Sequence, residues 1–415
     1  MNRINVSLHK GNELLPVGEL AYKDNYAYFQ YAESFLDKGL HLSPYQLDLN
    51  NELQKAERDP FNGLHGVFAD SLPDGWGLLL MDRFFQSKGI NLATVNPLTR
   101  LSFIGDRSMG ALSYSPILDG TDELEQNSSL TLSALGEESE KIYEGSDAEV
   151  TMELHLTGGS PGGARPKATI GLNNDKAISG STLPEGYEYW LVKFPTGEKK
   201  GKRTEGVTEF LYSELARNSG INFLPTRLIQ TNNDRYFACQ RYDRNNEGHR
   251  YHIHSMAGLL NTDFRVPDSD YESLIRLTSQ LTKNHEDSEQ VVLRMLFNVM
   301  TGNRDDHTKN FSFMIDLNGD WRLTPAYDIT FNNGINGHHS MSINGEDKDV
   351  SLDSLKKIAA LAGIKNNQFN QLAEQVADNL NAWSALANEY DVPKTIKNEI
   401  KNYMDKQTSR LVINL

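Results

Sequence analysis

The chain has one cysteine, Cys239, among 415 residues, so it can form no internal disulfide, and a reducing compartment, the cytoplasm, is expected. No run approaches the ~20 consecutive apolar residues that a membrane helix needs. The first residues, Met1 to Lys10, lack the basic-then-apolar pattern of an export signal. Neither membrane insertion nor export is therefore expected. Cations are also scarce: 41 Lys and Arg stand against 56 Asp and Glu, a net charge of −15. That balance argues against a chain that coats nucleic acid by charge alone, because phosphate neutralisation needs a surplus of cations. Internal repeats, low-complexity tracts and the Cys/His spacing of a structural zinc site are all missing, so His252, His254, His338 and His339 read as packing or surface histidines. What is present is an ordinary globular composition, 38% apolar and 23% charged. The length exceeds the ~250–300 residues at which one core stops growing, which predicts two or three domains or lobes.

Along the chain, Ile4–Leu8, Val17–Leu20 and Tyr26–Phe29 alternate between Gly, Asn and Asp turns and predict a small antiparallel sheet. Ser71–Gly77 opens a helix that continues through Phe85, and a second helix at Pro97–Ile104 stops at Gly105 before a strand at Ala111–Tyr114. Residues 117–150 are strongly acidic and read as a solvated connection holding one short helix near Leu130–Tyr143. From Tyr271 onward, apolar residues at three-and-four spacing predict helices at Tyr271–Leu281, Ser288–Met300, Leu352–Leu361, Asn367–Glu389 and Pro393–Val412. The four tryptophans, Trp76, Trp190, Trp321 and Trp383, are scattered and read as core.

Chemistry-bearing residues concentrate in two stretches. The second, Gly302 to Asp328, holds Asp305, Asn310 and Asp328. A carboxylate, an amide five residues on and a later carboxylate are how phosphoryl-transfer sites place a base and two Mg²⁺-binding oxygens. The strand Phe311–Ile315, the turn Asp316–Asp320 and the return Trp321–Leu323 predict a hairpin that brings Asn310 near Asp328. His307 reads as a hydrogen-bonding orienter. The earlier stretch, Gly158–Lys167, is a glycine-rich turn able to close backbone N–H groups on an anion, although such a loop alone is more often a flexible hairpin. Lys193 lies in the alternating strand Tyr187–Pro195, and Glu209 falls early in the following helix, the Lys–Glu pairing that kinases use on phosphates. Gly158-Gly159-Ser160-Pro161-Gly162 matches a hydrolase nucleophile elbow by letter. Proline after the serine removes the N–H of its oxyanion hole, so that reading fails on chemistry.

Five motifs, Gly158–Lys167, Leu191–Pro195, Arg241–Arg244, Asp305–Ser312 and Pro325–Ile329, together resemble the HipA-type serine/threonine kinases, the toxin halves of bacterial toxin–antitoxin modules. They occur in the family's order, and the resemblance spans nearly the whole chain. It implies an α+β, protein-kinase-like two-lobed core with an N-terminal α+β subdomain and a helical C-terminal lobe. The expected divisions are 1–116, the connection 117–150, a small lobe 151–240 and a large lobe 241–415. The resemblance further implies that Asp305 is the catalytic base and that Asn310 and Asp328 hold Mg²⁺. ATP would be bound by Gly162, Gly163, Ala164, Arg165, Pro166 and Lys167, by Lys193, and by Gln240, Arg241 and Tyr242 at the adenine. His307, Thr308, Lys309, Asn310, Tyr327 and Asp328 would line the same pocket. Ser160 matches the serine whose autophosphorylation silences the kinase, with Pro161 a departure from the pattern. The implied partners are a protein substrate, by resemblance an aminoacyl-tRNA synthetase, and a small helix-turn-helix antitoxin through which DNA is engaged. Two alternatives remain open: a catalytically weak binding module acting with an antitoxin on DNA, and a small-molecule kinase.

Overall fold

A computed structural model describes residues 1–11, 13–118, 127–146, 150–158, 163–196, 203–231 and 234–412. The chain divides into two compact units: Met1–Arg203 with Ile229–Asp263 and Met314–Gly319, and Thr204–Leu228 with Phe264–Phe313 and Asp320–Leu415.

Period-two alternation builds the start of the first unit. β1 (Arg3–Lys10), β2 (Glu13–Lys23) and β3 (Tyr26–Tyr31) bury Ile4, Val6, Leu8, Val17, Leu20, Ala27 and Phe29. With β4 (Gln54–Lys55) and β5 (Leu112–Ser115) they form an antiparallel sheet ordered β4-β3-β2-β1-β5. Four helices intervene in sequence: α1 (Glu33–Leu36), α2 (Gly66–Ala69), α3 (Gly75–Ser87) and α4 (Pro97–Ile104). α4 starts on Asn96, whose side chain accepts from Thr99 N, and stops at Gly105 with φ +59°.

Within the acidic stretch, the described residues 127–146 pack into the first unit rather than forming a solvated connection. β6 (Ser129–Leu130) is the edge of a second sheet, and α5 (Leu132–Tyr143) turns Leu135 and Ile142 into a cluster with Trp76, Leu154 and Trp190. Its carboxylates Glu137, Glu138 and Glu140 are half-buried, with Glu140 paired to Arg203, so net charge hides a helix with a buried apolar face. Leu154-His155-Leu156 alternates in sequence but lies in α6 (Met152–Gly158). Three residues are too few to set a period. The sheet continues with β7 (Lys167–Asn173), β8 (Lys176–Ile178) and β9 (Glu188–Lys193). After α7 (Glu205–Asn218) in the second unit come β10 (Thr226–Gln230) and β11 (Arg235–Gln240), giving the order β10-β11-β9-β7-β8-β6. Cys239 is half-buried in β11. β12 (His252–Ser255) and α8 (Met256–Leu260) follow.

The second unit is built around a buried helix. α9 (Tyr271–Thr282) precedes α10 (His285–Thr301), in which every residue from Val291 to Thr301 is buried. A helix apolar all round must be enclosed on all sides, and α9, α12 and α14 pack against it. Full burial of Leu296 and Phe297 contributes about 1.5–3 kcal/mol for each side chain. β13 (Ser312–Ile315) and β14 (Trp321–Leu323) make the expected hairpin. α11 (Leu352–Leu361), α12 (Asn366–Leu380), α13 (Trp383–Glu389) and α14 (Lys394–Leu411) complete the chain. The single helix expected over Asn367–Glu389 is thus two. Backbone bonds Asn381 N to Asp378 O and Ala382 N to Asn379 O close tight turns there, and Trp383 goes inward with Nε1 donating to Lys397 O at 3.0 Å. Trp76, Trp190 and Trp383 are core, as expected, and Trp321 is half-buried.

Candidate active site

In the second unit, α10 ends on Gly302 in the left-handed region (φ +76°), with Gly302 N and Asn303 N both donating to Asn298 O at 3.0 Å. This is the helix stop that glycine permits without steric penalty. The loop that follows is fixed from beneath. Asp306, 1% exposed, accepts from the Tyr271 hydroxyl at 2.9 Å, from His339 Nδ1 at 2.9 Å and from Ser340 N at 3.0 Å. Tyr271 in turn accepts from Asn298 Nδ2 at 3.0 Å, and Asn303 Nδ2 donates to Asn298 Oδ1 at 2.9 Å. Burial, and then the Asp306 charge, push the Tyr271 hydroxyl pKa well above its ordinary value, so it remains a donor.

With Asp306 held inward, its neighbour Asp305 is exposed. Asn310 Nδ2 donates to the Asp305 carbonyl at 2.7 Å, which leaves Oδ1 as the amide atom with ligand character. The Tyr327 hydroxyl donates to Lys309 O at 2.8 Å and lies 2.7 Å from Ser312 Oγ, which ties the residue before Asp328 to the end of this loop. Asp328 itself has φ +54°, a conformation uncommon outside glycine and one in which Asp is tolerated. Thr324 N donates to Ser312 O at 3.0 Å, and buried Arg294 donates to Thr324 O at 2.6 Å, fastening the hairpin to α10. His307 packs its ring 5.3 Å from that of Phe264, Lys309 Nζ stands 5.0 Å from the same ring, and Thr308 is buried. Glu209 is a buried residue of α7.

In the first unit, Lys167 opens β7 and Lys193 closes β9, and the ladder pairs them directly. Phe237 of β11 is Lys193's partner on the other side, with Nζ 5.8 Å from its ring. Two lysines opposite each other on one sheet face are a like-charge pair, unfavourable by itself and favourable for an anion. Gly163 is half-buried, Ala164 and Arg165 are exposed, and Pro166 is buried with its carbonyl accepting from Phe194 N at 2.9 Å. Ser160 and Gly162 lie outside the described residues.

Gln240 and Tyr242 are half-buried at the end of β11. Arg241 is committed to Asp243 through a bidentate pair at 2.9 and 2.7 Å, and its N–H donates to Tyr189 O at 2.9 Å, so its carbonyl is the atom left to meet a ligand. Burial alone would raise the Asp243 carboxyl, but Arg241, Arg244 and the Gly110 N–H outweigh it and hold the pKa at about 2. The Arg241–Arg244 motif is therefore a structural knot. His252 and His254 are buried, as packing histidines should be. His254 joins Ser43 Oγ at 2.9 Å to Asp70 at 2.6 Å, a serine–histidine–carboxylate series, but Ser43 is fully buried and out of reach of any substrate.

Asp306, Tyr271, Asn298 and His339 carry no signal of their own in sequence, except that Asn298 interrupts an apolar run and so demands a buried partner. No group of three or more His, Cys, Asp or Glu suited to a metal ion occurs among the described residues. Nor, among those residues, is any helix long and apolar enough to cross a membrane.

The sequence is similar to "Toxin YjjJ" of Escherichia coli (strain K12), 25% identical over 179 residues, 42% of this chain and 38% of that protein. It is also similar to "Putative kinase Y4dM" of Sinorhizobium fredii, 26% identical over 234 residues, 51% of this chain and 56% of that protein. The chain thus spans about half or less of the length of these curated relatives. The fold is similar to that of HipA in the Shewanella oneidensis MR-1 toxin–antitoxin complex of HipA, HipB and operator DNA. That similarity has a TM-score of 0.67 and 18% identity, covering 98% of this chain and 96% of that one. The architecture is the α+β fold of that protein. Residues 6–115 match the HipA N-terminal domain and residues 159–384 the HipA-like C-terminal domain, and the chain belongs to the HipA family.

Proposed function

We propose that the chain is an ATP- and Mg²⁺-dependent protein serine/threonine kinase of HipA type, acting as a toxin. The observation that supports this reading is the loop in which Asp305 is exposed and Asn310 donates to its carbonyl at 2.7 Å, with Tyr327, the residue before Asp328, bonded to Lys309 O. The donor set fits Mg²⁺, which is held by one or two carboxylates plus substrate phosphates rather than by an all-protein cage. Asn310 Oδ1 and Asp328 would hold the ion, whose chemistry when bound is to neutralise charge on the transferring phosphoryl group. Asp305 would accept the proton of the substrate hydroxyl. Lys167 and Lys193 would meet the nucleotide phosphates, and Gln240 to Tyr242 the adenine, with Arg241 acting through its backbone carbonyl.

The names of the relatives, "Toxin YjjJ" and "Putative kinase Y4dM", support this reading. The solved complex of a structural relative with HipB and operator DNA supports an antitoxin partner that binds DNA. A cytoplasmic protein substrate, by family resemblance an aminoacyl-tRNA synthetase, and silencing by autophosphorylation at Ser160 complete the proposal. The test is phosphate transfer from labelled ATP by wild type, Asp305→Ala and Asp328→Asn. Wild type is expected to transfer phosphate, to itself at least, and both variants to lose that transfer while keeping their unfolding midpoint. Equal labelling of all three would refute the assignment.

A further inference from the structure

α3 begins in an unusual way. Asp74 occupies its N-cap position, yet the carboxylate makes no bond to the helix's own first turn. It accepts instead from the backbone N–H of Gly163. Two residues on, Trp76 N, a first-turn donor without an intrahelical acceptor, donates to the Gly163 carbonyl at 3.1 Å. Gly163 is thereby gripped at both of its backbone polar atoms. The Trp76 indole Nε1 then donates to Lys167 O at 3.2 Å, where β7 begins.

The two backbones meet closely. Gly75 has φ +41°, and a Cβ there would lie 2.6 Å from Ala164 Cα, so only glycine allows the approach. Gly163 has φ +98°, and a Cβ there would fall 2.3 Å from Lys167 Nζ. Three consecutive residues of the N-terminal domain, Asp74 to Trp76, thus hold both ends of the segment Gly163–Lys167. An aspartate that capped only its own helix would stabilise it locally. Here the carboxylate forms a charge-assisted bond to a segment far away in sequence.

We propose that Asp74 is a positioning residue for nucleotide binding: by holding Gly163 it keeps the backbone leading to Lys167 in the place from which that lysine meets the ATP phosphates. This rests on the kinase reading above. Because Asp74 occupies the Gly163 N–H, the phosphates must be met by the lysines rather than by that amide. The N-terminal domain is then a structural part of the nucleotide site.

The test uses the full chain and the variants Asp74→Ala, Asp74→Asn and Gly75→Ala. Initial rates against ATP concentration are measured with calorimetric binding of a non-hydrolysable ATP analogue with Mg²⁺, and unfolding midpoints are recorded. Asp74→Ala should raise KM for ATP and Kd for the analogue about tenfold, equivalent to about 1.4 kcal/mol, with kcat within about twofold, the pattern of lost binding rather than lost chemistry. Asp74→Asn keeps an oxygen acceptor and should recover most of the loss. Gly75→Ala should reproduce the KM rise with the carboxylate intact. Unchanged or lower KM in Asp74→Ala, or a fall in kcat and midpoint without a KM change, overturns the proposal. If wild type neither binds the analogue nor transfers phosphate, the kinase reading falls as well. Tight binding by wild type and Asp74→Ala alike overturns the positioning role alone.

Discussion

Replacing Asp306 by alanine tests the physical account of the candidate catalytic loop most directly. The substitution leaves the Tyr271 hydroxyl and His339 Nδ1, both buried, and the half-buried Ser340 N–H without their shared acceptor. Each buried polar group so stranded costs roughly 1–3 kcal/mol. Ser340 N keeps a second acceptor in Arg304 O at 3.0 Å, which lowers its share. A total of about 3 kcal/mol is expected, since neighbouring losses do not add fully. Because a chain of two units need not unfold in one step, the readout is amide hydrogen exchange in α10, whose core amides exchange only on opening of the second unit. Exchange at Phe297 to Met300 should accelerate about a hundredfold, at about 1.4 kcal/mol per tenfold. Tyr271→Phe removes one member of the same network, so the double variant should fall short of the sum by at least about 0.5 kcal/mol. A change below about 0.5 kcal/mol in Asp306→Ala, with exchange unaltered, would show that the network does not hold the loop.

Asp243→Ala leaves Arg241 and Arg244 buried without their common counter-ion and should cost about 3–5 kcal/mol, seen as a lower melting midpoint and less soluble protein; a loss under about 1 kcal/mol would count against the knot. Acidification should destabilise the first unit. Burial, then the neighbouring His254, push the His252 pKa down to about 3 from 6.5, so stability is complete above pH 6.5 and is lost as pH falls from there toward 3. A melting midpoint that rises between pH 7 and pH 5 would contradict this sign. Gly334→Ala places a Cβ 2.1 Å from His338 O at φ +63°, in the segment whose neighbour Asn333 accepts from Arg304 at 2.9 Å. It should cost more than about 1 kcal/mol and slow phosphate transfer, and wild-type rates from a stably folded variant would disprove the coupling.

The sequence by itself determined the elements whose signals are local. α9, α10 and α11 are set by apolar residues at helical spacing, the β1–β3 sheet by alternation, and the hairpin after Asn310 by Asp316–Asp320 between two strands. Five motifs in order also carried the family. Where local signals misled, the deciding contact was distant. Ile142 and Leu135 pull an acidic segment into a core shared with Trp190, and the inward Trp383 ends a helix whose spacing ran on. Charge and short alternation cannot foresee those partners. Only the tertiary structure decided that, of two adjacent aspartates, Asp306 is buried under three donors and Asp305 faces outward. It alone brought Lys167 opposite Lys193 and set Asp74 on Gly163. Those pairings depend on strand register and loop closure between residues far apart in sequence, which side-chain periodicity along one segment does not encode.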